Sequence, residues 1–195
     1  SGTPSITVCR KYTRLRNVQV QTDYAVERIA SPLMKKGTEE IITAGAPGSV
    51  TEAYLDIFVK GKLEKSEFIS ATADNSVTQV VKYGTLVDSV SKDDKLVNVH
   101  RTSDGSGYLV FASGDTMAFS SQVTCNASAY ATKGYGASGR PTKYGNIAVD
   151  PSVFPYGTRF YIYTDDGYLT YGMATASDCG TSIKGYKLDL WFDTY

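Results

Sequence analysis

Histidine is almost missing from this chain: of 195 residues only His100 carries an imidazole. That argues against a serine or cysteine nucleophile primed by an imidazole, and the surrounding residues place His100 on a surface loop. With one histidine and no closely paired cysteines, no set of zinc ligands is on offer. An excess of charge of one sign is missing too. Twenty basic residues balance twenty acidic ones, so no net field draws the protein to nucleic acid or anionic lipid. No apolar run approaches the ~18 residues of a membrane-spanning helix. Cysteine is scarce and odd in number: Cys9, Cys125 and Cys179. Two alternatives fit them. Either Cys125 pairs with Cys179 in a secreted protein and Cys9 stays free, or all three are reduced thiols serving as small buried hydrophobes. No signal-peptide pattern opens the chain, and its abrupt Ser1-Gly2 start leaves the upstream sequence open.

What the chain has in quantity is strand and turn formers. Fifteen tyrosines and eighteen glycines, with much Val and Thr, predict an all-β protein. The length suits one ordinary domain or two small ones. From 6 to 86 the pattern is short strands broken by turns. Leu55, Ile57 and Val59 alternate with Asp56, Phe58 and Lys60, Lys60-Gly61-Lys62 forms a turn, and Phe68 to Ala71 and Val77 to Tyr83 resume extended runs. The best helical signal, Asp23 to Met34, is interrupted by Pro32. Large apolar side chains are too few here for a thick core, which predicts an extended, single-layer β-rich module. Its glycines at 37, 45, 48, 61 and 84 each stop a strand-like run, and positive φ in turns explains most of them.

Residues 87–104 turn polar and read as a linker, with a hairpin or loop at Ser103-Asp104-Gly105-Ser106-Gly107. From 105 to 195 the chain is β-dense again. Val123 to Tyr130 alternates, Lys133 to Gly145 is a Gly-rich loop holding Arg140, Lys143 and Tyr144, and Ile147 to Val149 is extended. Phe160 to Tyr163 joins Tyr168 to Tyr171 across Thr164-Asp165-Asp166-Gly167, where Asp-Gly signals a tight hairpin. Met173 to Ser177 and Lys187 to Phe192 follow. Six short strands with so few helical breaks predict a small closed barrel.

Three aspartates in this last stretch stand where plain β-structure does not require them: Val149-Asp150-Pro151, Ser177-Asp178-Cys179-Gly180 and Leu188-Asp189-Leu190-Trp191-Phe192. Asp150 and Asp178 also suit turn caps. Asp189 is harder to explain structurally. Its neighbours Leu188, Leu190 and Phe192 are all apolar, so its carboxyl group is expected at or near a packed interior. Burial without a cation disfavours the charged form and raises the pKa, which a general acid near neutral pH needs. Asp178, across a Gly-punctuated turn, is placed to return to the same spot.

The five glycines in their order and spacing, with Leu33-Met34-Lys35-Lys36-Gly37-Thr38, Ala44-Gly45-Ala46-Pro47-Gly48, Phe58-Val59-Lys60-Gly61-Lys62 and Tyr83-Gly84-Thr85, resemble the five-glycine (G5) domain of Gram-positive surface proteins and wall enzymes. The resemblance implies an extended β module that adheres to wall polysaccharide or acts as a spacer. The aspartates, with Asn126-Ala127-Ser128-Ala129-Tyr130, Ala137-Ser138-Gly139, Phe154-Pro155-Tyr156-Gly157-Thr158 and Ile183-Lys184-Gly185, resemble the three-aspartate (3D) domain. That family is similar at its core to the catalytic barrel of membrane-bound lytic transglycosylase A. It implies a six-stranded double-psi β-barrel with a carboxylate site in a sugar-binding groove. Cys179 departs from the family, which usually has Thr after the second aspartate, and so does the Gly180-Thr181-Ser182-Ile183 spacing.

Carried over, the resemblance makes Asp189 the catalytic acid, with Asp178 beside it raising its pKa and Asp150 fixing the loop. Arg140 and Lys143 are candidates to contact substrate carbonyl or carboxylate groups, and Tyr130 or Tyr144 to stack on a sugar. The expectation is a secreted, cell-wall-associated monomer of Gram-positive type, without metal or cofactor, acting on peptidoglycan glycan strands as a lytic transglycosylase. Two readings compete: a glycoside hydrolase using two carboxylates, and a non-catalytic wall-glycan-binding protein. An aspartic peptidase would need two equivalent Asp loops, and the chain offers one.

Overall fold

The computed structural model describes residues 10–194, and among them are fourteen strands and no helix. They fall into two units: the chain as far as Ser31 with Gly37–Tyr83, and Pro32–Lys36 with the chain from Gly84 onward.

The first six strands are β1 (Lys11–Thr22), β2 (Val26–Lys35), β3 (Glu39–Thr43), β4 (Gly48–Val59), β5 (Lys62–Ala71) and β6 (Gln79–Leu86). In the first unit β1, β4 and β5 make an antiparallel sheet in the order β1-β4-β5. Lys60 and Gly61, at φ of 51° and 80°, close the β4–β5 hairpin, the left-handed pair that matches the twist of two strands. One face of this sheet is held by rings and guanidinium groups instead of aliphatic packing. Tyr12 stacks on Phe58 at 4.9 Å, Arg14 lies 5.3 Å above the same ring, and Arg16 lies 4.9 Å above Tyr54. Beneath them Asp56, 2% exposed, accepts from Arg16 Nε at 2.8 Å and Ser66 Oγ at 2.5 Å. Arg16 and then Ser66 hold its carboxyl down at about 2. A thin sheet with few aliphatics thus covers its one buried charge with cations.

Two expectations change. The run from 23 to 34 is mostly strand β2, because Pro32 cannot donate inside a helix but is tolerated on an end strand of a sheet. Positive φ accounts for two of the five glycines, Gly37 and Gly61; a Cβ at Gly45, Gly48 or Gly84 would lie 2.2 Å from the Tyr24 ring, 2.2 Å from Ser76 N and 2.1 Å from Lys35 O. Those three are needed for close approach.

The second unit adds β7 (Leu96–Arg101), β8 (Gly107–Phe111), β9 (Thr116–Phe119), β10 (Asn126–Tyr130), β11 (Asn146–Ala148), β12 (Arg159–Tyr163), β13 (Thr170–Asp178) and β14 (Lys187–Trp191). β7, β8 and β9 form an antiparallel meander, and Leu86 pairs in parallel with Thr116 of β9. Val90, Leu96 and Val99, from the polar stretch 87–104, pack against Leu109, Phe111 and Met117. His100 sits on β7, not in a loop, stacked on Tyr108 at 4.7 Å.

The remaining strands make one mixed, curled sheet in the order β10-β14-β11-β13-β12. β10/β14 and β11/β13 are parallel, whereas β11/β14 and β12/β13 are antiparallel. The β12–β13 hairpin turns at Asp165-Asp166-Gly167, with Gly167 at φ 72°. Thr170–Tyr171 and Met173–Ser177 belong to the single strand β13, since Gly172 at φ 80° absorbs a register shift without ending the ladder, whereas Tyr168 and Leu169 stay in the turn. Ile147, Val149, Ala176, Leu188 and Leu190 form the buried face of this sheet; each of the larger ones contributes about 1.5–3 kcal/mol through burial. A cavity of about 690 Å³ lies on that same face, bordered by Phe160, Ile162, Leu188 and Leu190 and by Leu109 and Met117.

Candidate carboxylate site

Alternation along β14 sends Leu188 and Leu190, 5% and 3% exposed, into the core and Asp189 to the opposite face. The cavity therefore lies across the sheet from Asp189. The carboxyl group is half-buried and not sunk in the interior, because only its strand neighbours face the apolar side.

Register determines what stands beside it. Ala148 on the central strand β11 pairs with Asp189 of β14 on one side and with Asp178 of β13 on the other. On the outer side of β14, Ser128 of β10 pairs with Asp189. Ser128, Asp189, Ala148 and Asp178 thus form one row across four strands, with their side chains on one face. Strand spacing puts the two aspartate backbones roughly 10 Å apart, with only the Ala148 methyl group between them.

Asp178 reaches this row through an irregularity. Ile147 pairs with Ala176 but Ala148 pairs with Asp178, so Ser177 is bulged out of the register. Strict alternation would send Asp178 to the core face with Ala174 and Ala176; the bulge re-aims it to the face of Asp189. The Gly-rich loop then pins it. Ala137 N–H and Cys179 N–H each donate to Asp178 Oδ1 at 2.8 Å. Gly136 lies so close that a Cβ there would sit 2.9 Å from both Cβ and Cγ of Asp178. Asp189 has one side-chain donor, Ser128 Oγ at 2.7 Å to Oδ1.

Tyr130 feels the charges of both aspartates, and Tyr156 that of Asp178. Burial, then the charges of Asp178 and Asp189, push the Tyr130 hydroxyl up to about 12. Tyr156, hydrogen-bonded to the Cys179 thiol, is likewise pushed up to about 12, by that bond first, then by burial and by the charges of Cys179 and Asp178. The structure brings Asp178, Asp189 and Tyr130 together. Ser128 and Tyr156 join them; both stand in stretches that resemble the 3D family, but nothing in the local pattern singles out either side chain.

Asp150 is engaged elsewhere. It is 9% exposed, accepts from Ser152 Oγ at 2.7 Å and Ser152 N at 3.0 Å on Oδ1, and from Gly185 N at 2.8 Å on Oδ2. These bonds tie the turn after β11 to the loop before β14. The Ser152 hydroxyl, then Gly185 and Ser152 backbone N–H, hold its carboxyl down from 3.8 to about 2. A carboxyl depressed in the folded state stabilises above its unfolded pKa, and that contribution disappears as pH falls from about 4 through about 2. Asp150→Asn is accordingly expected to lower the melting temperature at pH 6 but to approach wild type near pH 2, measured by circular dichroism across that range.

Tyr144 stacks on Tyr171 at 4.4 Å and its hydroxyl donates to Tyr171 O at 2.6 Å, yet the residue is 43% exposed, so the hydroxyl is engaged while part of the ring stays open. Arg140 and Lys143 are exposed on the Gly-rich loop. The disulfide alternative is not realised: Cys125 and Cys179 are free thiols. Cys125 packs against the apolar core, whereas Cys179 is exposed beside Tyr156. Cys9 lies outside the described residues.

Comparison with known proteins gives relatives over part of the chain. It is 32% identical over 119 residues to YabE of Bacillus subtilis (strain 168), assigned on a provisional basis to cell wall shaping. That match covers 52% of this chain and 28% of YabE. It is 40% identical over 81 residues to the cell wall-binding protein YocH of the same organism, covering 37% of this chain and 26% of YocH. The chain thus spans less than a third of either relative. Among solved structures, the crystal structure of HP0197-G5 matches at 20% identity and a TM-score of 0.37, covering 38% of this chain and 99% of that one. Residues 13–86 match the G5 family model and residues 145–195 the 3D family model, so the chain carries a G5 domain followed by a 3D domain.

Proposed function

We propose that the protein is a secreted, cell-wall-associated lytic transglycosylase that cleaves the β-1,4 bond between N-acetylmuramic acid and N-acetylglucosamine in peptidoglycan. In this reading residues 6–86 adhere to the wall or act as a spacer, and 105–195 carry the chemistry on a curled sheet that forms part of a double-psi β-barrel. The wall-related names of YocH and YabE support the location. The observation that carries the chemistry is the row Asp189–Ala148–Asp178, two carboxylates on one face with a single alanine between them.

Asp189 gives its proton to the glycosidic oxygen as the bond to C1 breaks. Ser128 occupies Oδ1, so the proton is carried on Oδ2. The resulting carboxylate takes the proton of the C6 hydroxyl as O6 bonds to C1, giving a 1,6-anhydro ring without water. Asp178, fixed by Ala137 and Cys179 N–H groups, faces the positive charge that develops on the ring. The same row favours one competitor. Carboxylates based a whole strand apart suit the wider spacing of an inverting hydrolase, with a water between them.

Catalysis is tested against binding alone by incubating the protein with purified sacculi. Soluble muropeptides should accumulate with time and enzyme. Protein that sediments with sacculi but releases nothing would replace this reading with that of a non-catalytic wall binder.

A further inference from the structure

Tyr156 presents an aromatic ring that is open to solvent and yet held at both ends. It is 40% exposed. Its backbone forms the corner of a closed turn: Thr158 N–H and Thr158 Oγ1 both donate to Pro155 O, at 3.0 and 2.6 Å, and Gly157 has φ 92°, as the third position of a type II turn requires. Two further bonds fasten the turn to β13, Gly157 N–H to Ala176 O and Ala176 N–H to Thr158 O, each at 2.9 Å. They continue the β12 edge of β13 past the Arg159–Thr175 pair, which brings Tyr156 beside the Ser177–Asp178 end of that strand. At the far end of the ring the hydroxyl is bonded to the exposed Cys179 thiol. Cys179 N–H is in turn one of the two donors that hold Asp178 Oδ1.

A lone exposed tyrosine calls for no explanation. A ring fixed at both ends is different, because it offers its face to a partner with little rotamer freedom left to lose. That electron-rich face attracts the C–H groups lining the flat side of a pyranose with equatorial substituents. Both sugars of wall glycan have this form, but muramic acid carries a bulky lactyl group on O3 that N-acetylglucosamine lacks. The row Asp189–Ala148–Asp178 runs towards the edge of β13 where Tyr156 stands, so a glycan laid along the row passes Asp178 and meets this ring next. A polymer on the surface reaches an open ring without an enclosing pocket. We propose that Tyr156 is the stacking platform for an N-acetylglucosamine that flanks the scissile bond on the Asp178 side. This rests on the reading of the carboxylate row as a wall-glycan site.

The Cys179 thiol provides the test, since a sugar seated on Tyr156 covers it. Soluble, peptide-free glycan strands are titrated into the full chain carrying Asp189→Asn, and alkylation of each cysteine by iodoacetamide is followed by peptide mass mapping. Glycan should slow alkylation of Cys179 severalfold and leave Cys125, which packs against the core, unchanged. With Tyr156→Leu added, half-protection should need about tenfold more glycan, the scale of one aromatic contact. Tyr156→Phe keeps the ring and should titrate like the parent. Absence of protection at any concentration, a Leu variant that titrates like the parent, or a Phe variant shifted as far as the Leu variant overturns the role given to Tyr156. Protection by glycan together with a wild-type protein that forms no anhydro ends overturns the transglycosylase reaction instead and leaves the stacking site standing.

Discussion

Asp189→Asn is expected to reduce muropeptide release from sacculi by about a thousandfold while leaving the melting temperature close to wild type. The amide oxygen can still accept from Ser128 Oγ, which donates to Oδ1 of the native carboxylate at 2.7 Å, so the strand keeps its local bonding. What the amide lacks is a proton to deliver to the leaving oxygen and a carboxylate to collect one from O6. Positioned proton transfer of this kind is worth about 10²–10⁴ in rate. A loss of about a thousandfold lies at the middle of that range. Release at the wild-type rate from the amide variant would remove Asp189 from the chemistry.

The second large effect is expected at a residue that takes no part in the reaction. Gly136→Ala should lower activity about a hundredfold, the cost of displacing a reacting group by an ångström or so. The new methyl would begin 2.8 Å from Ser177 O and 2.9 Å from the Asp178 side chain. Relief requires moving either the bulge or the loop whose Ala137 N–H holds Asp178. Gly136 is not at positive φ, so the backbone itself tolerates alanine and the damage is confined to the carboxylate. Gly139 in the same loop provides the contrast. It has φ 79°, and a Cβ added there would meet nothing within 4 Å, so Gly139→Ala should strain the turn but spare activity. Equal activity in the Gly136 and Gly139 variants, by sacculus turbidity, would mean that Asp178 need not be held in place.

Which parts of this site could be read from the chain alone follows from the range of each interaction. Alternation along β14 was legible, since Leu188 and Leu190 declare which side is core, but the expectation that the Asp189 carboxyl lies at a packed interior was not met. Asp150 as a turn cap was equally legible from Asp-Pro. The meeting of Asp178 with Asp189 was suggested by the Gly-punctuated turn between them and by family resemblance, although the period of two taken literally sends Asp178 to the wrong face. Only the pairing of Ala148 with its neighbours reveals the bulge at Ser177. The glycines make the same point. Gly61 announces its turn in Lys-Gly-Lys, but Gly45, Gly48 and Gly84 answer to Tyr24, Ser76 and Lys35, partners the chain brings near only on folding. In 87–104, isolated apolar residues such as Leu96 and Val99 look like linker until Leu109 and Phe111 supply something to pack on.

The reaction itself is tested most directly by the mass of the sugar ends that the wild-type protein releases from borohydride-free digests of sacculi. Intramolecular capture by O6 predicts muramic acid ends that are one water lighter than hydrolytic ends and that resist reduction. Ends carrying the full water, reducible by borohydride, would contradict this account and assign the two carboxylates to hydrolysis.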